Sequence, residues 1–287
     1  MMQWDQAALD IIEQIPLPPV MMKFAKLDAL RRARHNGLDR VTAEVARAVE
    51  KGYERVFGRE ATEMIRRMAR GEPINLPEEF FEEDEEELFA IELCPAKYGA
   101  CTAEKRRMMK NIVAPVRAKL KELGATDIIL GKARTPLMSH HVLHIAIIGC
   151  PNCCLSPYFS DVGIVCTFTP SVKSSECIQC NACVRSCTEG ALSLKDNLPV
   201  IDYERCIRCG GCVKECPNGA LSVERSAYKV VAGGCGSRHP RIAETVIEST
   251  DAAGVLMILE RLLLKYRDCP DNGHELSFHG MIQRYGI

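Results

Sequence analysis

Cysteine spacing constrains this chain more than any other feature, because eight of its sixteen cysteines form two runs with the same pattern, C-x2-C-x2-C-x3-C. Thiolates two residues apart on a tight turn can reach different corners of one iron–sulfur cube, and the fourth ligand must then come from farther along the chain. Two C-x2-C pairs alone would leave zinc open, but two complete runs predict iron–sulfur clusters. The runs are Cys177, Cys180, Cys183, Cys187 and Cys206, Cys209, Cys212, Cys216, with Pro217 closing the second.

This spacing resembles that of two-cluster bacterial ferredoxins, in which the fourth cysteine of each run serves the other run's cluster. The resemblance implies a ferredoxin domain over residues 169–223 that moves electrons through two [4Fe–4S] clusters. One cluster would be held by Cys177, Cys180, Cys183 and Cys216. The other would be held by Cys206, Cys209, Cys212 and Cys187.

Composition argues against several other classes. The formal net charge is −1 and the charges are mixed, so nothing indicates a nucleic-acid-binding face. No apolar run long enough for a membrane span and no signal peptide are evident in the sequence. Many cysteines would suit a secreted disulfide protein, but ferredoxin spacing without an export signal favours reduced thiolates in an anaerobic or reducing cytoplasm.

The pattern of apolar residues predicts an α+β fold that begins with a helical bundle over residues 1–75. Prolines and glycines end its predicted helices, which span 4–15, 21–34 and 59–70, with another that Thr42 caps and Gly58 stops. Residues 76–90 contain the acidic run Glu82–Glu87, which we interpret as a solvated linker. Docking of a basic redox partner is the alternative interpretation of this run.

From residue 91 onward the pattern changes to mixed helices and strands. Thr102 is a candidate N-cap for a helix that Pro115 kinks or splits before Gly124 closes it. Strands are predicted over 126–130, 142–148, 162–168 and 228–231, and C-terminal helices over 241–249 and 252–266. The ferredoxin segment therefore interrupts a module formed by residues 91–168 and 224–287.

A second cysteine group lies around the end of the predicted strand 142–148. Cys150 and Cys154 come directly after this strand, and Gly149 lets the backbone approach a ligand closely. Cys94 and Cys101 lie upstream on a loop that enters a helix. Four thiolates in two pairs are compatible with a third [4Fe–4S] cluster.

The segment from His144 to Cys154 resembles the Gly-Cys-Pro-Asn-x-Cys signature of sulfite and nitrite reductases, which couple a [4Fe–4S] cluster to sirohaem. That family has a C-x5-C pair followed by C-x3-C, whereas the first pair here is C-x6-C. The resemblance implies that Cys154 bridges the cluster to sirohaem iron, with Cys153 as the alternative ligand. The implied third ligand set is Cys94, Cys101, Cys150 and Cys154.

The order of segments extends the resemblance. A ferredoxin segment followed by the turn Gly233 to Arg241 is similar to small anaerobic sulfite reductase subunits and dissimilatory sulfite reductase-like proteins. Family members usually carry another half-domain before the first cysteine pair, where this chain has helices and an acidic stretch. The implied function is reduction of sulfite or nitrite with electrons delivered through the ferredoxin clusters. The alternative is a non-catalytic electron-transfer subunit without sirohaem.

Sirohaem carboxylates and an anionic substrate both require cations nearby. Arg106 and Arg107 are the candidates for binding sirohaem, with a solvated helix face as the alternative for them and for Lys105. The candidates for the substrate are Lys132, Arg134, Arg238 and Arg241, with Lys97 a further cation beside the first cysteine pair. Candidate proton donors are His140, His141, His144 and His239.

The remaining cysteines, Cys153, Cys166, Cys235 and Cys269, are expected to be buried as small apolar side chains. A redox protein or a subunit of a complex is the expected electron donor, so the chain is a candidate for a homo- or hetero-oligomer.

Overall fold

The structure is a computed structural model that describes residues 2–15, 17, 19–53, 87–94, 102–134, 136–270 and 276–287. The predicted helix over 59–70, residues 82–86 of the acidic run and the residues Lys97 and Cys101 lie outside the described residues. The fold is α+β, as predicted.

In chain order the described strands and helices are β1 (Gln3–Trp4), α1 (Gln6–Gln14), α2 (Pro19–His35), β2 (Arg40–Val41), α3 (described over 43–53), β3 (Phe89–Leu93), α4 (Ala103–Glu122), α5 (Ala125–Lys132), β4 (Leu143–Ile148), β5 (Val162–Val172), α6 (Ala182–Ser186), β6 (Leu192–Lys195), β7 (Leu198–Ile201), α7 (Gly211–Lys214), β8 (Leu221–Ala232), β9 (Glu244–Thr250), α8 (Ala252–Asp268) and α9 (Phe278–Tyr285).

The chain divides into two compact units whose segments alternate along the sequence. The first unit consists of Met1–Ala90, Gly124–Leu143 and Leu263–Met281. The second consists of Ile91–Leu123, His144–Leu262 and Ile282–Ile287. The first unit therefore includes two later segments in addition to the predicted N-terminal bundle.

Helices dominate the first unit. Their small and branched side chains, among them Ala8, Ile12 and Ala29, form one buried cluster. The buried carboxylate of Asp28 accepts charged hydrogen bonds from Arg31 and Arg32 at 2.6 and 3.0 Å, which compensates its removal from water.

The second unit is built around a five-stranded sheet with the strand order β3-β4-β5-β8-β9. Strands β4 and β5 are parallel, whereas β5 and β8 form a long antiparallel ladder from Val162↔Ala232 to Val172↔Leu221. The chain leaves this ladder at its far end, and the Lys173 N–H donates to the Ala220 carbonyl at 2.8 Å. The segment between these residues is thus inserted at the end of the β5–β8 ladder.

Several predicted elements are confirmed. The stretches 4–15, 21–34 and 252–266 are helical to within a few residues at each end, and 142–148 and 162–168 are strands. Thr42 and Thr102 act as N-caps, because their hydroxyls accept from the N–H groups of Val45 and Lys105 at 3.4 and 3.5 Å.

The strand predicted over 126–130 is wrong, because these residues lie in helix α5. Gly124 adopts a left-handed conformation with φ 64°, which ends α4 and starts α5 without the loop that a strand would need. A short apolar run such as Ile128–Leu130 fits a buried helix as well as a strand.

The helix predicted over 241–249 is also wrong, because this stretch forms strand β9 beside β8. Its β-branched residues Thr245, Val246 and Ile247 are stiff at χ1 and suit a pleated surface better than a helix. Pro115 does not split α4, which continues from Ala103 to Glu122 around it.

Gly234 is a position where we expect a side chain to destabilise the second unit. A Cβ there would lie 2.3 Å from the Tyr158 carbonyl oxygen. Gly234→Ala should therefore lower the free energy of unfolding by about 1–3 kcal/mol, as overpacking does. Chemical denaturation measures this change.

Gly131→Ala is the matched control, because Gly131 lies in α5 and its Cβ would meet no atom within 4 Å. This variant should be neutral or stabilising by up to about 1 kcal/mol. Equal stability of the two variants would contradict the close approach at Gly234.

Candidate iron–sulfur centres

The two cysteine runs fold into two matching turns. In each turn a left-handed residue stands on either side of the second cysteine, and a short helix, α6 or α7, follows. Alternation of right- and left-handed residues points successive N–H groups into a concave nest that favours negative charge. The left-handed residues are Gln179 (φ 57°) and Asn181 (61°) in the first turn, and Arg208 (59°) and Gly210 (67°) in the second.

Four cysteines line one cavity in the ferredoxin segment, and they come from both runs. They are Cys177, Cys180, Cys183 and Cys216. Burial raises the pKa of the Cys183 thiol, and the negative charges of Cys216 and Cys177 raise it further. The structure thus brings together the first predicted ligand set, including the fourth member taken from the other run.

The second predicted set meets around Cys212. Burial raises the pKa of the Cys212 thiol to about 11, and the charges of Cys209, Cys206 and Cys187 act in the same direction. Backbone N–H groups point at two of these sulfurs: Gly211 donates to Cys209 at 3.4 Å and Ala191 donates to Cys187 at 3.3 Å. Such hydrogen bonds to sulfur are one way in which a protein sets the reduction potential of a cluster.

The number and spacing of these cysteines fit iron–sulfur clusters. Within the described ranges, no three His, Cys, Asp or Glu side chains are grouped tightly enough to hold one ion. The ligands of a [4Fe–4S] cluster each bind a different iron, so they lie farther apart than the ligands of a zinc ion. None of the described cysteines forms a disulfide, as ligation of a cluster requires.

The third cysteine group forms where β3 and β4 end. Cys94 follows β3 directly, and its N–H donates to the Ile147 carbonyl at 3.2 Å. The Gly149 N–H in turn donates to Cys94 Sγ at 3.3 Å, which brings Cys94 beside the turn that begins at Cys150. Both cysteines are buried, and Cys94 Sγ lies 3.6 Å from Met109 Sδ on α4.

Cys166, on the neighbouring strand β5, belongs to the same group. The β4–β5 register pairs Ile148 with Val165, so Cys166 is level with the turn after β4. Burial raises the pKa of its thiol to about 12, with further contributions from Cys94 and Cys150. Its burial was expected from the sequence, but its closeness to the other two cysteines was not.

Cys153 and Cys154 differ in exposure. Cys154 is exposed, whereas Cys153 is half-buried with a left-handed backbone at φ 52°. The pKa of Cys153 is raised by burial and then by Cys150 and Cys154, and it is lowered by the ammonium of Lys229. Both thiols therefore remain candidates for the last ligand of this group.

Lys229 is a residue that the sequence analysis missed. It lies on β8 opposite Val165, and its ammonium is 3.2 Å from the Glu248 carboxylate. Its effect on Cys153 shows that it is close to the third cysteine group. A lysine within the short stretch Tyr228–Val231 was a signal in the sequence, but only the strand register identifies its neighbours.

Two of the predicted substrate-binding cations belong to the first unit, whereas the cysteines of the third group belong to the second. Lys132 Nζ donates to the Cys269 carbonyl at 2.7 Å, and Arg134 donates to the Gly131 carbonyl at 2.9 Å. Arg134 thus bonds to backbone at the C-terminal end of α5, where positive charge is favoured, and Lys132 bonds to backbone just after α8.

The other predicted cations, together with His144 and His239, are dispersed over the second unit. Arg241 pairs with Glu244 at 3.0 Å, and Arg238 and His239 are exposed on the same turn. Arg106 is half-buried and Arg107 is exposed on α4. His144 Nδ1 lies 3.7 Å from the Glu92 carboxylate. His140 and His141, in the first unit, stack with ring centroids 4.1 Å apart.

A cleft of about 1150 Å³ in the first unit is lined by arginines but by no described cysteine. Among these arginines, Arg31 hydrogen-bonds to Asp28 and Arg34 pairs with Asp127. Arg31 also donates to the Ala133 carbonyl at the end of α5. Arg31 and Arg34 are therefore already engaged, with the buried carboxylate of Asp28, the exposed carboxylate of Asp127 and a backbone carbonyl at the end of α5.

Comparison with known proteins identifies the inserted segment first. Residues 176–220 match the family described as a 4Fe-4S dicluster domain. The chain is 34% identical over 143 residues to the coenzyme F420-dependent sulfite reductase of Methanocaldococcus jannaschii, covering 50% of this chain and 23% of that protein. It is 33% identical over 129 residues to a subunit of the anaerobic sulfite reductase of Salmonella typhimurium, covering 43% of this chain and 37% of that protein.

Among solved structures, the crystal structure of dissimilatory sulfite reductase I matches 50% of this chain and 40% of its own, with 17% identity and a TM-score of 0.39. The chain is thus an iron–sulfur protein with a dicluster domain. Its matched part is sulfite-reductase-like, and it spans well under half the length of the curated relatives. No helix in the described part of the chain is long and apolar enough to cross a membrane.

Exchange of the fourth ligand between the two runs can be tested directly. Cys216→Ser and Cys180→Ser should each remove the same cluster, because both side chains line one cavity. Cys187→Ser and Cys206→Ser should remove the other. Iron and sulfide content and the electron paramagnetic resonance (EPR) signal of the reduced protein measure which cluster is lost. If Cys216→Ser instead removes the signal lost in Cys206→Ser, the exchange is wrong.

Proposed function

We propose that this chain is the sirohaem and iron–sulfur part of an oxidoreductase that reduces sulfite, or alternatively nitrite. It would hold three [4Fe–4S] clusters, two in the ferredoxin segment and one at Cys94, Cys101, Cys150 and Cys154. The observation that carries the proposal is that β5 joins both cysteine systems: it leads into the dicluster segment and carries Cys166 beside Cys94 and Cys150. Its similarity to sulfite reductases supports the choice of substrate.

When bound, the clusters would supply one-electron transfer, and sirohaem would supply the iron at which the substrate is reduced. The chain's own residues would prepare this site in simple ways. The Gly149 N–H stabilises negative charge on Cys94 Sγ, and Met109 and Cys166 exclude water from the buried side of the group. Cys154 is exposed, which suits a thiolate that must reach a large ligand outside the sheet.

An anionic substrate needs positive charge where it binds. Lys229 supports this requirement, because its ammonium lies near the turn of Cys153 and Cys154. The carboxylate of Glu248 holds Lys229 Nζ in position. Arg238 and Arg241 on the following turn remain proposed substrate-binding residues, and Arg106 and Arg107 remain proposed for the sirohaem carboxylates.

A second function, a non-catalytic electron-transfer subunit without sirohaem, is favoured by one observation. Lys132 and Arg134 are hydrogen-bonded to backbone carbonyls in the first unit, and Arg241 is paired with Glu244. Three of the four proposed substrate cations are therefore already engaged. In that case a partner protein or another copy of the chain would carry the substrate site.

An absorption spectrum of anaerobically purified protein distinguishes the two functions, because sirohaem has visible bands that iron–sulfur clusters lack. We expect those bands together with iron and sulfide for three clusters. Reduced-dye-dependent consumption of sulfite, compared with nitrite, then tests the substrate. Two clusters and no sirohaem would contradict the proposal and support the electron-transfer subunit.

The bridging role of Cys154 gives a sharper prediction. If its thiolate joins a cluster to sirohaem iron, Cys154→Ser should abolish sulfite reduction and the spectroscopic coupling between the two groups. Cys153→Ser is the matched control on the same turn and should retain most activity. An inactive Cys153→Ser beside an active Cys154→Ser would assign the bridge to Cys153.

A further inference from the structure

Lys105 is a buried cation in an otherwise apolar stripe. It lies on the face of α4 that also carries Met109, Ile112, Val116 and Leu120, at helical spacing. Only 6% of its surface is exposed. A lysine is rarely buried to this extent without a counter-charge, because removing an ammonium from water is costly.

The ammonium of Lys105 points at an aromatic ring of the sheet. Its Nζ lies 5.9 Å from the centroid of Phe168, within the range of a cation–π contact. Among the described residues, no carboxylate pairs with the ammonium of Lys105. The hydrogen bond to the Thr102 hydroxyl comes from the backbone N–H of Lys105 and not from its side chain. Its charge is therefore not neutralised by any described neighbour.

Phe168 in turn holds the second cysteine turn of the ferredoxin segment. Its N–H donates to the Arg208 carbonyl at 2.7 Å, and Phe168 forms a β-bridge with Cys209. A Cβ on Gly210 would lie 3.2 Å from Phe168 Cβ, so the turn is seated directly against this side chain. Lys105, Phe168 and the turn of Cys209 therefore form one continuous contact.

The first turn has a different environment, although its backbone is the same. Cys180, which corresponds to Cys209, is exposed, and the neighbouring Ile178 is 59% exposed. Its cavity is lined by residues of the ferredoxin segment and by Leu221 at the start of β8. Neither β5 nor α4 contributes to that lining.

We propose that Lys105 is a positioning charge that raises the reduction potential of the cluster at Cys187, Cys206, Cys209 and Cys212 above that of its twin. Reduction adds one electron, and so one negative charge, to a cluster. Burial beneath Phe168 disfavours this charge, whereas the nearby ammonium of Lys105 favours it. The proposal rests on the dicluster part of the proposed function and is independent of sirohaem and sulfite.

The test is a redox titration of the full chain, poised with dithionite and viologen dyes and followed by EPR. The unmodified protein should show two separate one-electron waves for the ferredoxin clusters, and the higher wave should be missing in Cys209→Ser. In Lys105→Met, which keeps the length of the side chain, the reduced-to-oxidised ratio of that cluster at fixed potential should fall on the order of tenfold. Tenfold corresponds to 59 mV for one electron.

Two control variants separate a local charge from other effects. Lys105→Arg keeps the charge and should leave the higher wave near its original position. Lys110→Met removes an exposed lysine from the same helix and should shift neither wave. An unchanged higher wave in Lys105→Met, or equal shifts in Lys105→Met and Lys110→Met, would overturn the proposal.

Iron content, measured on every sample, separates this proposal from the broader function. Loss of clusters from the unmodified protein would contradict the dicluster assignment itself. If Lys105→Met does not fold, the redox titration of the unmodified protein can still contradict the proposal. Coincident waves, or a Cys209-dependent wave at the lower potential, would overturn the role of Lys105 even with all clusters present.

Discussion

The antiparallel ladder between β5 and β8 is the interaction on which the candidate centres depend. It pairs an 11-residue strand with a 12-residue strand, so its many backbone hydrogen bonds define the position of both strands over their whole length. One end of β5 is parallel to β4 and adjoins the third cysteine group. The other end leads into the ferredoxin segment. A single rigid element thus fixes two cysteine systems that are far apart in sequence.

Strand geometry keeps the distance between the two cysteine systems short. Cys166 and Phe168 are two residues apart on β5, so they face the same side at a separation of roughly 7 Å along the strand. Cys166 lies beside Cys94 and Cys150, and Phe168 holds the turn of Cys209. The step from one cysteine system to the other is therefore about two residues of a single strand. No flexible linker separates them at this point.

The parts of the site that were predictable from the sequence are those with local spacing. The resemblance of the cysteine spacing to two-cluster ferredoxins implied the two ligand sets, and the structure brings the members of each set together. The neighbourhood of Cys166 and Lys229 was not predictable in this way, because neighbours across a sheet depend on strand register. The neighbours of both residues follow only from the pairing of β5 with β4 and β8.

The two wrong secondary-structure assignments have the same origin. Ile128–Leu130 and the stretch Thr245–Ile247 are short apolar or β-branched runs, for which periodicity alone does not separate helix from strand. In the first case the left-handed Gly124 joins two helices, and in the second the open edge of β8 recruits a strand. Sequence patterns predicted the long, strongly periodic elements, and tertiary neighbours decided the short ones.

The internal repeat of the ferredoxin segment shows how a fold breaks a symmetry that its sequence contains. Both cysteine turns use the same left-handed positions, so the backbone alone would give two nearly equivalent clusters. Insertion into the β5–β8 ladder places Phe168 and the buried Lys105 against only one of them. Burial and positive charge act on reduction in opposite directions, and in the proposal the charge of Lys105 has the larger effect. An electron shared by the pair would then reside mainly on the cluster that adjoins β5, two residues from Cys166 and the third cysteine group.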